Sequence, residues 1–499
     1  MDAFSRGRAA HERGDHQAAI DNYTIALNDR FDDPQILYHL GAVYREAGLN
    51  GLAVNLLASA SHLLEAKTYA SPRNNELKLD VLNNIGIAYL RESNFDGARE
   101  IWEIARSKAQ EYGDQKYAAQ VLANVATAFT LEGEYARAIP LYEEALAVIP
   151  DSKDAQFNYS QAKLAIGRWA EGWDAYEIAL TLGLRRARNY VNVPVWNGEK
   201  DKKIVVYGEQ GLGDEILFAS MIPDLMAVSK EVVLDCHPRL VDTFTRSFGI
   251  KCYGTRKQAD APWLEDEKPD YSIAIGSLGK FFRRKDEDFP GTPYLTADPE
   301  KVAKLRSGSE PGTFRVGVAW QGGTKKTGKK FRSASLDTFL PFFKKTRFQG
   351  KVEFFSLQYT PEAGKEVDEF EMRTGVHIKH FPSLVQCDNY DATVHFAASM
   401  DCIITVCQSI VHVAGALGVP CYVMVPKESA WRETGNSPER REQMPWYSSV
   451  KLFHRDGQDW GPVVEKIEER LTVDIRAFYD KKSEAWEQAR ASRKTAKKA

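Results

Sequence analysis

From the start of the chain to about residue 188, apolar residues follow the helical period, and the pattern itself recurs. The segments LGAVYREAGLNGLAVNLLASA (40–60), IGIAYLRESNFDGAREIWEIA (85–105) and VATAFTLEGEYARAIPLYEEA (125–145) align without a gap. Each has a small residue second (Gly41, Gly86, Ala126), an aromatic fifth (Tyr44, Tyr89, Phe129) and alanine fourteenth (Ala53, Ala98, Ala138). An earlier copy carries Ala19, Tyr23 and Ala26, and a later one Gly172, Tyr176 and Ala179, which makes about five repeats. Small residues let two helices cross closely while a large neighbour fills the groove, so the pattern predicts stacked helix pairs, about ten helices in all.

Past LRRARNYVNVPVWNGEKDKK (184–203), where Pro194 and Gly198 break the period, the pattern changes to short β-branched runs separated by helix-length segments. KIVVYG (203–208), EVVLDC (231–236) and YSIAIG (271–276) form one block. FRVGVAW (314–320), VEFFSLQ (352–358), CIITVC (402–407) and CYVMVP (421–426) form a second. Runs this apolar predict parallel strands covered on both faces, hence two Rossmann-like domains meeting near 311. A last helix around 460–490 is expected to return toward the first of them.

The first block opens on VVYGEQGLGDEI, with Gly208, Gly211 and Gly213 in six residues and then Asp214 and Glu215. A glycine-rich turn before a helix brings backbone N–H groups close to an anion or a sugar. G-x-x-G-x-G is neither the dinucleotide fingerprint nor a P-loop, however, and a purely structural turn stays open. Asp214 and Glu215 equally suit the first turn of a helix as capping carboxylates.

Composition narrows the classes. A net charge of −3 gives no electrostatic ground for a nucleic-acid partner. No apolar run is long enough for a transmembrane helix, and MDAFSRGRAAHERGD lacks the apolar core of a signal peptide, so a cytoplasmic protein is expected. The six cysteines (236, 252, 387, 402, 407, 421) sit partly within apolar runs and suggest buried thiols. Cys402, Cys407, His412 and Cys421 have no zinc-site spacing, and neither a metal nor another cofactor is expected.

The 34-residue steps from Ala19 to Ala53 and from Ala138 to Gly172 are the period of tetratricopeptide repeats; steps of 45 and 40 between them imply lengthened turns, the first within TYASPRNNELKLD (68–80). GEQGLGDEI, Pro223, DCHPRL (235–240), VGVAW (316–320), FSLQ (355–358), HVAGALGVP (412–420) and PWYSSVKLF (445–453) together resemble tetratricopeptide-repeat proteins with a GT-B type glycosyltransferase domain. That domain is similar to the ADP-heptose–lipopolysaccharide heptosyltransferases, and the layout to O-GlcNAc transferase. The resemblance implies an α plus α/β fold, a repeat superhelix followed by a GT-B pair. The domain plan is repeats at 1–188, a linker at 189–200, an acceptor domain at 201–311, a donor domain at 312–475, and a helix end with a basic tail at 476–499.

The resemblance further implies inverting, metal-independent transfer of a sugar from a nucleotide-sugar to a protein, peptide or glycan acceptor, with a protein partner on the concave face of the repeats. Asp214 aligns with the catalytic aspartate of the heptosyltransferase G-D turn and is the expected base, Glu209 and Glu215 being weaker candidates. Helix N–H groups at 408–410, with Gln408, Ser409 and His412, form the expected donor turn; His412 is alternatively a core histidine. Relatives carry Asp-Thr or Asp-Asn where this chain has Cys407 and Gln408, which leaves open a different donor or a lost activity. In QGGTKKTGKKFRSAS (321–335), Arg332 and Ser333, with Lys330 behind them, are placed over the diphosphate, and Lys325, Lys326 and Lys329 steer the anion. Trp196, Trp320 and Trp431 could stack on a base or sugar, and Trp320, ending the donor domain's first strand, is favoured. Two other readings remain: a repeat scaffold with a degenerate GT-B domain, and a nucleotide-sugar epimerase or hydrolase.

Overall fold

A computed structural model describes the backbone of all residues except 67–70, 324–328, 347–350, 387, 428, 434–441, 458 and 497–499, and the side chains of these except also 330, 346 and 485–496. Lys325, Lys326, Cys387 and the first residues of the 68–80 insertion therefore lie outside the described residues, as does the side chain of Lys330. Two compact units divide between Lys163 and Leu164.

The first unit is built of antiparallel helix pairs: Ala3–Glu12 with His16–Asp29, Pro34–Glu46 with Asn50–Glu65, Asn75–Arg91 with Phe95–Glu111, and Gln115–Leu131 with Tyr135–Val148. Each pair turns through one residue at positive φ: Gly14, Gly48 and Gly133, with Ser93 at φ 63° standing where the other repeats have glycine. Asp15 and Asn94 then cap the second helix of their pairs, their side chains accepting the N–H of Ala18 and Gly97. The small second residue of each repeat meets a large one on the paired helix. A Cβ on Gly7 would fall 2.6 Å from the Tyr23 ring, on Gly41 2.8 Å from Leu57, and on Gly86 2.3 Å from Trp102. The groove is thus filled from the second helix of the pair, at Tyr23, Leu57 and Trp102, rather than by the aromatic fifth residue of the first helix.

The second unit begins inside the last repeat, well before the break expected at 188. Helix Trp169–Tyr176 packs Trp173 edge-on against Phe218, Trp431 and Trp446, and a Cβ on Gly279 would sit 2.5 Å from its indole. The expected linker at 189–200 is docked rather than free: Val195 bridges Ser272, and Trp196 donates its N–H to the Ser272 carbonyl at 2.9 Å.

Strands β1 (Lys203–Tyr207), β2 (Glu231–Asp235), β3 (Lys251–Tyr253) and β4 (Tyr271–Ala274) form a parallel sheet in the order β3-β2-β1-β4. A second sheet combines β5 (Phe314–Ala319), β6 (Val352–Ser356), β7 (Ile378–His380), β8 (Cys402–Val406), β9 (Cys421–Val425), β10 (Gln443–Met444) and β11 (Tyr447–His454). Its order is β10-β11-β9-β8-β5-β6-β7, parallel throughout except at the β10–β11 edge. The short strands β3 and β7 carry too little apolar sequence to announce themselves. The chain leaves β5 for β6 and β7 on one side and returns to β8 on the other, so the switch point of this sheet falls between β5 and β8.

The long helix Gly461–Ala496 does not return toward the first sheet. Val463, Val464, Ile467, Leu471 and Ile475 join Phe314, Val316, Tyr422 and Met424 in one core, so it covers a face of the second sheet. Among the described residues no helix is long and apolar enough to cross a membrane.

Candidate active-site cleft

Two strand–turn–helix units meet here. After β1, the turn Gly208–Gly211 leads into helix Leu212–Ala219; after β8, Cys407 and Gln408 lead into helix Ser409–Leu417. The helices touch at Gly213, where a Cβ would lie 3.2 Å from the His412 ring and 3.3 Å from the Ser409 Cα. Gly208 is required by space in the same way, since its Cβ would fall 2.2 Å from a Glu215 carboxylate oxygen. None of the three glycines has a positive φ, so this turn uses glycine for close approach rather than for left-handed backbone.

The three carboxylates of the turn have separate environments. Glu209 is buried against Arg185, whose Nη2 lies 2.9 Å from its Oε1, and also accepts the Gly276 N–H. Glu215 is buried, 2.6 Å from Arg256 Nε, and accepts the His237 N–H at 2.8 Å; burial pushes its pKa up to about 8 against the pull of Arg256. Asp214 alone remains partly open, with 26% of its side chain exposed. Its Oδ2 accepts the Gly211 N–H at 3.1 Å, the cap expected of a first-turn carboxylate, while Oδ1 lies 2.8 Å from Arg432 Nε.

Arg432, which no motif or spacing singles out, reaches the cleft from a short 3-10 turn, Trp431–Glu433. It also donates to Gln210 Oε1 at 3.1 Å and lies over the Trp431 ring. Beside it Glu433 is buried, its Oε2 without a hydrogen-bond partner among the described residues; burial raises its pKa, opposed by Arg332 and Arg432. The adjacent Trp431 is a stacking candidate in the sequence, but the charge next to it has no motif to reveal it.

On the second sheet, Gln408 occupies the cap position of helix Ser409–Leu417 with extended backbone; its side chain makes no capping bond, and Nε2 turns back to Thr405 Oγ1 at 3.2 Å. Ser409 Oγ shares a hydrogen bond with Tyr390 OH at 3.1 Å. His412 is buried, its Nδ1 3.4 Å from Tyr447 OH, and burial lowers its pKa to about 4 despite Asp214. A neutral interior histidine results. Cys407 points inward, its Sγ 3.7 Å from the Met424 carbonyl, while its own carbonyl is approached so closely by Gly322 that a Cβ there would meet it at 2.4 Å.

Arg332 closes the short helix Lys329–Arg332, half-buried and near enough to act electrostatically on Cys407, His412 and Glu433. Ser333 Oγ accepts the Gly322 N–H at 3.4 Å and ties the loop back on itself. Trp320 corrects the stacking expectation. It is 1% exposed in the core of the second sheet and donates Nε1 to Glu366 at 2.5 Å, so no ring face is open to a ligand. Trp196 and Trp431 are packed as well, at 4% and 2% exposure.

A cavity of about 340 Å³ opens at the start of helix Ser409–Leu417, with Leu212 and Arg239 on the first-sheet side and Tyr390, Gln408 and Ser409 on the second. Among the described residues no group of three or more His, Cys, Asp or Glu side chains is arranged to hold a metal ion.

Residues 78–151 match the tetratricopeptide repeat family. Protein FlbA of Caulobacter vibrioides is 28% identical over 460 residues, covering 88% of this chain and 72% of that protein. Among solved structures, ADP-heptose LPS heptosyltransferase II of E. coli is 13% identical with a TM-score of 0.40, over 56% of this chain and 99% of that one. The Rap conjugation gene regulator of plasmid pLS20, in complex with the Phr* peptide, is 18% identical with a TM-score of 0.31, over 36% and 52%. At these scores neither structure supplies residue roles for this chain. The N-terminal region is a tetratricopeptide-repeat array, and the fold class is α plus α/β, with two Rossmann-like sheets after the helical repeats.

Proposed function

We propose that this cleft binds a nucleotide-sugar and transfers its sugar to an acceptor hydroxyl with inversion, without a metal ion or other cofactor, and that the repeats recruit a protein or peptide acceptor. The observation that carries the reading is the uncapped start of helix Ser409–Leu417 at the sheet's switch point, facing the Asp214–Arg432 pair. Helix N–H groups and arginines favour a diphosphate; a carboxylate opposite them suits a hydroxyl nucleophile.

In this reading the diphosphate engages Arg332 and the N–H groups at 408–410 and draws Arg432 from Asp214. The freed carboxylate takes the acceptor hydroxyl proton as that oxygen bonds to the anomeric carbon, and the bond from that carbon to the diphosphate oxygen breaks with its electron pair on the leaving group. Arg332 and Arg432 hold the charge that develops there. Glu209 and Glu215, each committed to a buried arginine, are set aside as bases. The absence of a carboxylate at Cys407 bears less on the site than its sequence position suggests, because that side chain faces the sheet interior.

Calorimetric titration with a panel of nucleoside-diphosphate sugars tests the reading. One member should bind, and Arg332→Ala should weaken it by about 1.5–3 kcal/mol, the scale of charged hydrogen bonds. Failure of every donor to bind the wild-type protein would leave the repeat scaffold as the better account.

A further inference from the structure

Arg315 is anomalous already in the sequence, a charge at the second position of FRVGVA, a strand buried on both faces. Strand alternation explains where it goes. Phe314, Val316 and Val318 enter the core under the long C-terminal helix, and Arg315 projects to the other face, where Phe355 of β6 and Lys379 of β7 also emerge. The guanidinium carbon lies 4.2 Å from the centre of the Phe355 ring, and Lys379 Nζ 5.5 Å from it.

Arg315 is only 2% exposed, yet it makes no ion pair among the described residues; its side chain donates one hydrogen bond, from Nη1 to the Leu305 carbonyl at 2.7 Å. The neighbouring carboxylates are committed elsewhere. Asp401 receives Arg306 Nη2 on both oxygens, at 2.9 and 3.1 Å, and Glu353 is held by Lys379 at 2.9 Å and by Ser309. Burial, reinforced by Arg306 and opposed by Glu353 and Asp401, lowers the Arg315 pKa to about 10. Glu353 and Asp401 act on Arg315 from nearby, Asp401 accepting its backbone N–H at 2.8 Å, but neither bonds the guanidinium; a buried guanidinium with no directly bonded carboxylate is costly, so its retention points to an anion supplied from outside.

The space for one is present. A cavity of about 660 Å³ is walled by Arg315, Phe355, Phe381, Phe396 and His395, with Lys301 and Lys304 from helix Pro299–Arg306 at its side. His395 is 2% exposed, and its Nε2 has no partner among the described residues. Asp391, an acidic residue of the wall, is occupied by two nitrogens of Arg246, at 2.9 and 2.5 Å, and by Thr243 at 2.8 Å. The cavity shares no lining residue with the cleft at Ser409.

We propose that this cavity binds a small apolar carboxylate, its body against Phe355, Phe381 and Phe396 and its charge on Arg315. One buried guanidinium calls for one negative charge, since Lys301 and Lys304 are exposed to solvent and Lys379 already has Glu353. The aromatic walls favour a flat or branched body over a sugar or a phosphate, whose polar surface they would leave unsatisfied.

Titration of the full chain with 1-naphthoate, octanoate and the neutral 1-naphthalenemethanol tests this. At least one carboxylate should bind about tenfold or more tightly than the alcohol, and the better of the two tells an aromatic from an acyl ligand. Arg315→Met should abolish that preference while leaving the melting temperature of the unliganded protein equal or higher, because a buried unpaired charge has been replaced by an apolar side chain. Ala392→Trp, which fills the cavity from helix Asp391–Ala398, should abolish binding of all three. Equal affinity for acid and alcohol, no binding of any probe, or undiminished carboxylate binding by Arg315→Met would each overturn the proposal. Nucleotide-sugar titration reads the other cleft, so either inference can fail without the other.

Discussion

The repeat array and the second unit bury polar groups in opposite ways. Among the described residues of the array, the buried polar or charged ones are Asn50, Asn84, Ser160 and Lys163; the second unit buries Arg185, Glu209, Glu215, Arg256, Arg315 and Glu433, among others. The array is stabilised by small residues receiving large ones from the paired helix, over short stretches of sequence, as when Trp102 packs on Gly86 and donates to Asn83. In the second unit most of the buried charges meet an opposite charge or a polar group from another segment, as Arg185 meets Glu209 and Arg432 meets Asp214 and, across 222 residues, Gln210; Arg315 is an exception. An array of this kind is a support whose surface can vary, whereas a network of buried charges marks where chemistry or ligand binding is placed.

The sharpest test of the difference is Asp214→Asn. Asparagine still caps the helix, so stability should change by less than about 1 kcal/mol, while loss of the base should cut sugar transfer by about 10²–10⁴ and leave donor affinity undiminished, Arg432 being released from its carboxylate. Transfer at the wild-type rate would make Asp214 a cap and an arginine partner only.

The next largest effect concerns pH. Glu215 is raised to about 8, so its contribution to stability is full below its ordinary value of 4.5 and is lost as pH rises through 8. His237 and His412 are lowered to about 4, mainly by burial; their contribution is present above 6.5 and is lost as pH falls toward 4. Protection of amides across 203–235, after correction for the intrinsic rise of exchange with pH, should therefore fall from pH 6 to 9 by the equivalent of a few kcal/mol, and Glu215→Gln should flatten that trend. His39 in the repeats, also lowered to about 4 by burial, predicts loss on the acid side there. If protection in the repeats and in 203–235 falls equally above pH 7, the contrast between the units fails.

Overpacking tests the array. Gly86→Val places a Cβ where 2.3 Å separates it from the Trp102 indole nitrogen, and should cost about 1–3 kcal/mol, read by denaturant unfolding with Trp102 fluorescence. Transfer measured well below the unfolding transition should be unaffected. The smallest effect is expected from Trp320→Phe: it removes the hydrogen bond to Glu366, costs about 1–2 kcal/mol in stability, and leaves donor affinity unchanged. A drop in donor affinity comparable to that of Arg332→Ala would return Trp320 to the site.

The repeat register, seven of the eleven strands, and the glycine turn with Asp214 as its helix-capping carboxylate were legible in the sequence because each follows from local periodicity or spacing; the longest strand, β11, was not. Helix and strand periods act over a few residues, and a stacked repeat needs nothing beyond its neighbours. The tertiary structure alone decided which carboxylate of GEQGLGDE stays open. Glu209 and Glu215 are enclosed by Arg185 and Arg256, and only Asp214 meets Arg432, an arginine with no motif around it. It likewise decided that Trp320 turns into the core, that the last repeat and the supposed linker join the second unit, and that the C-terminal helix covers the second sheet. Burial and long-range charge pairing are properties of the packed chain: a charge and its partner are brought together only when strands far apart in sequence are laid side by side, and no window of neighbouring residues records that distance.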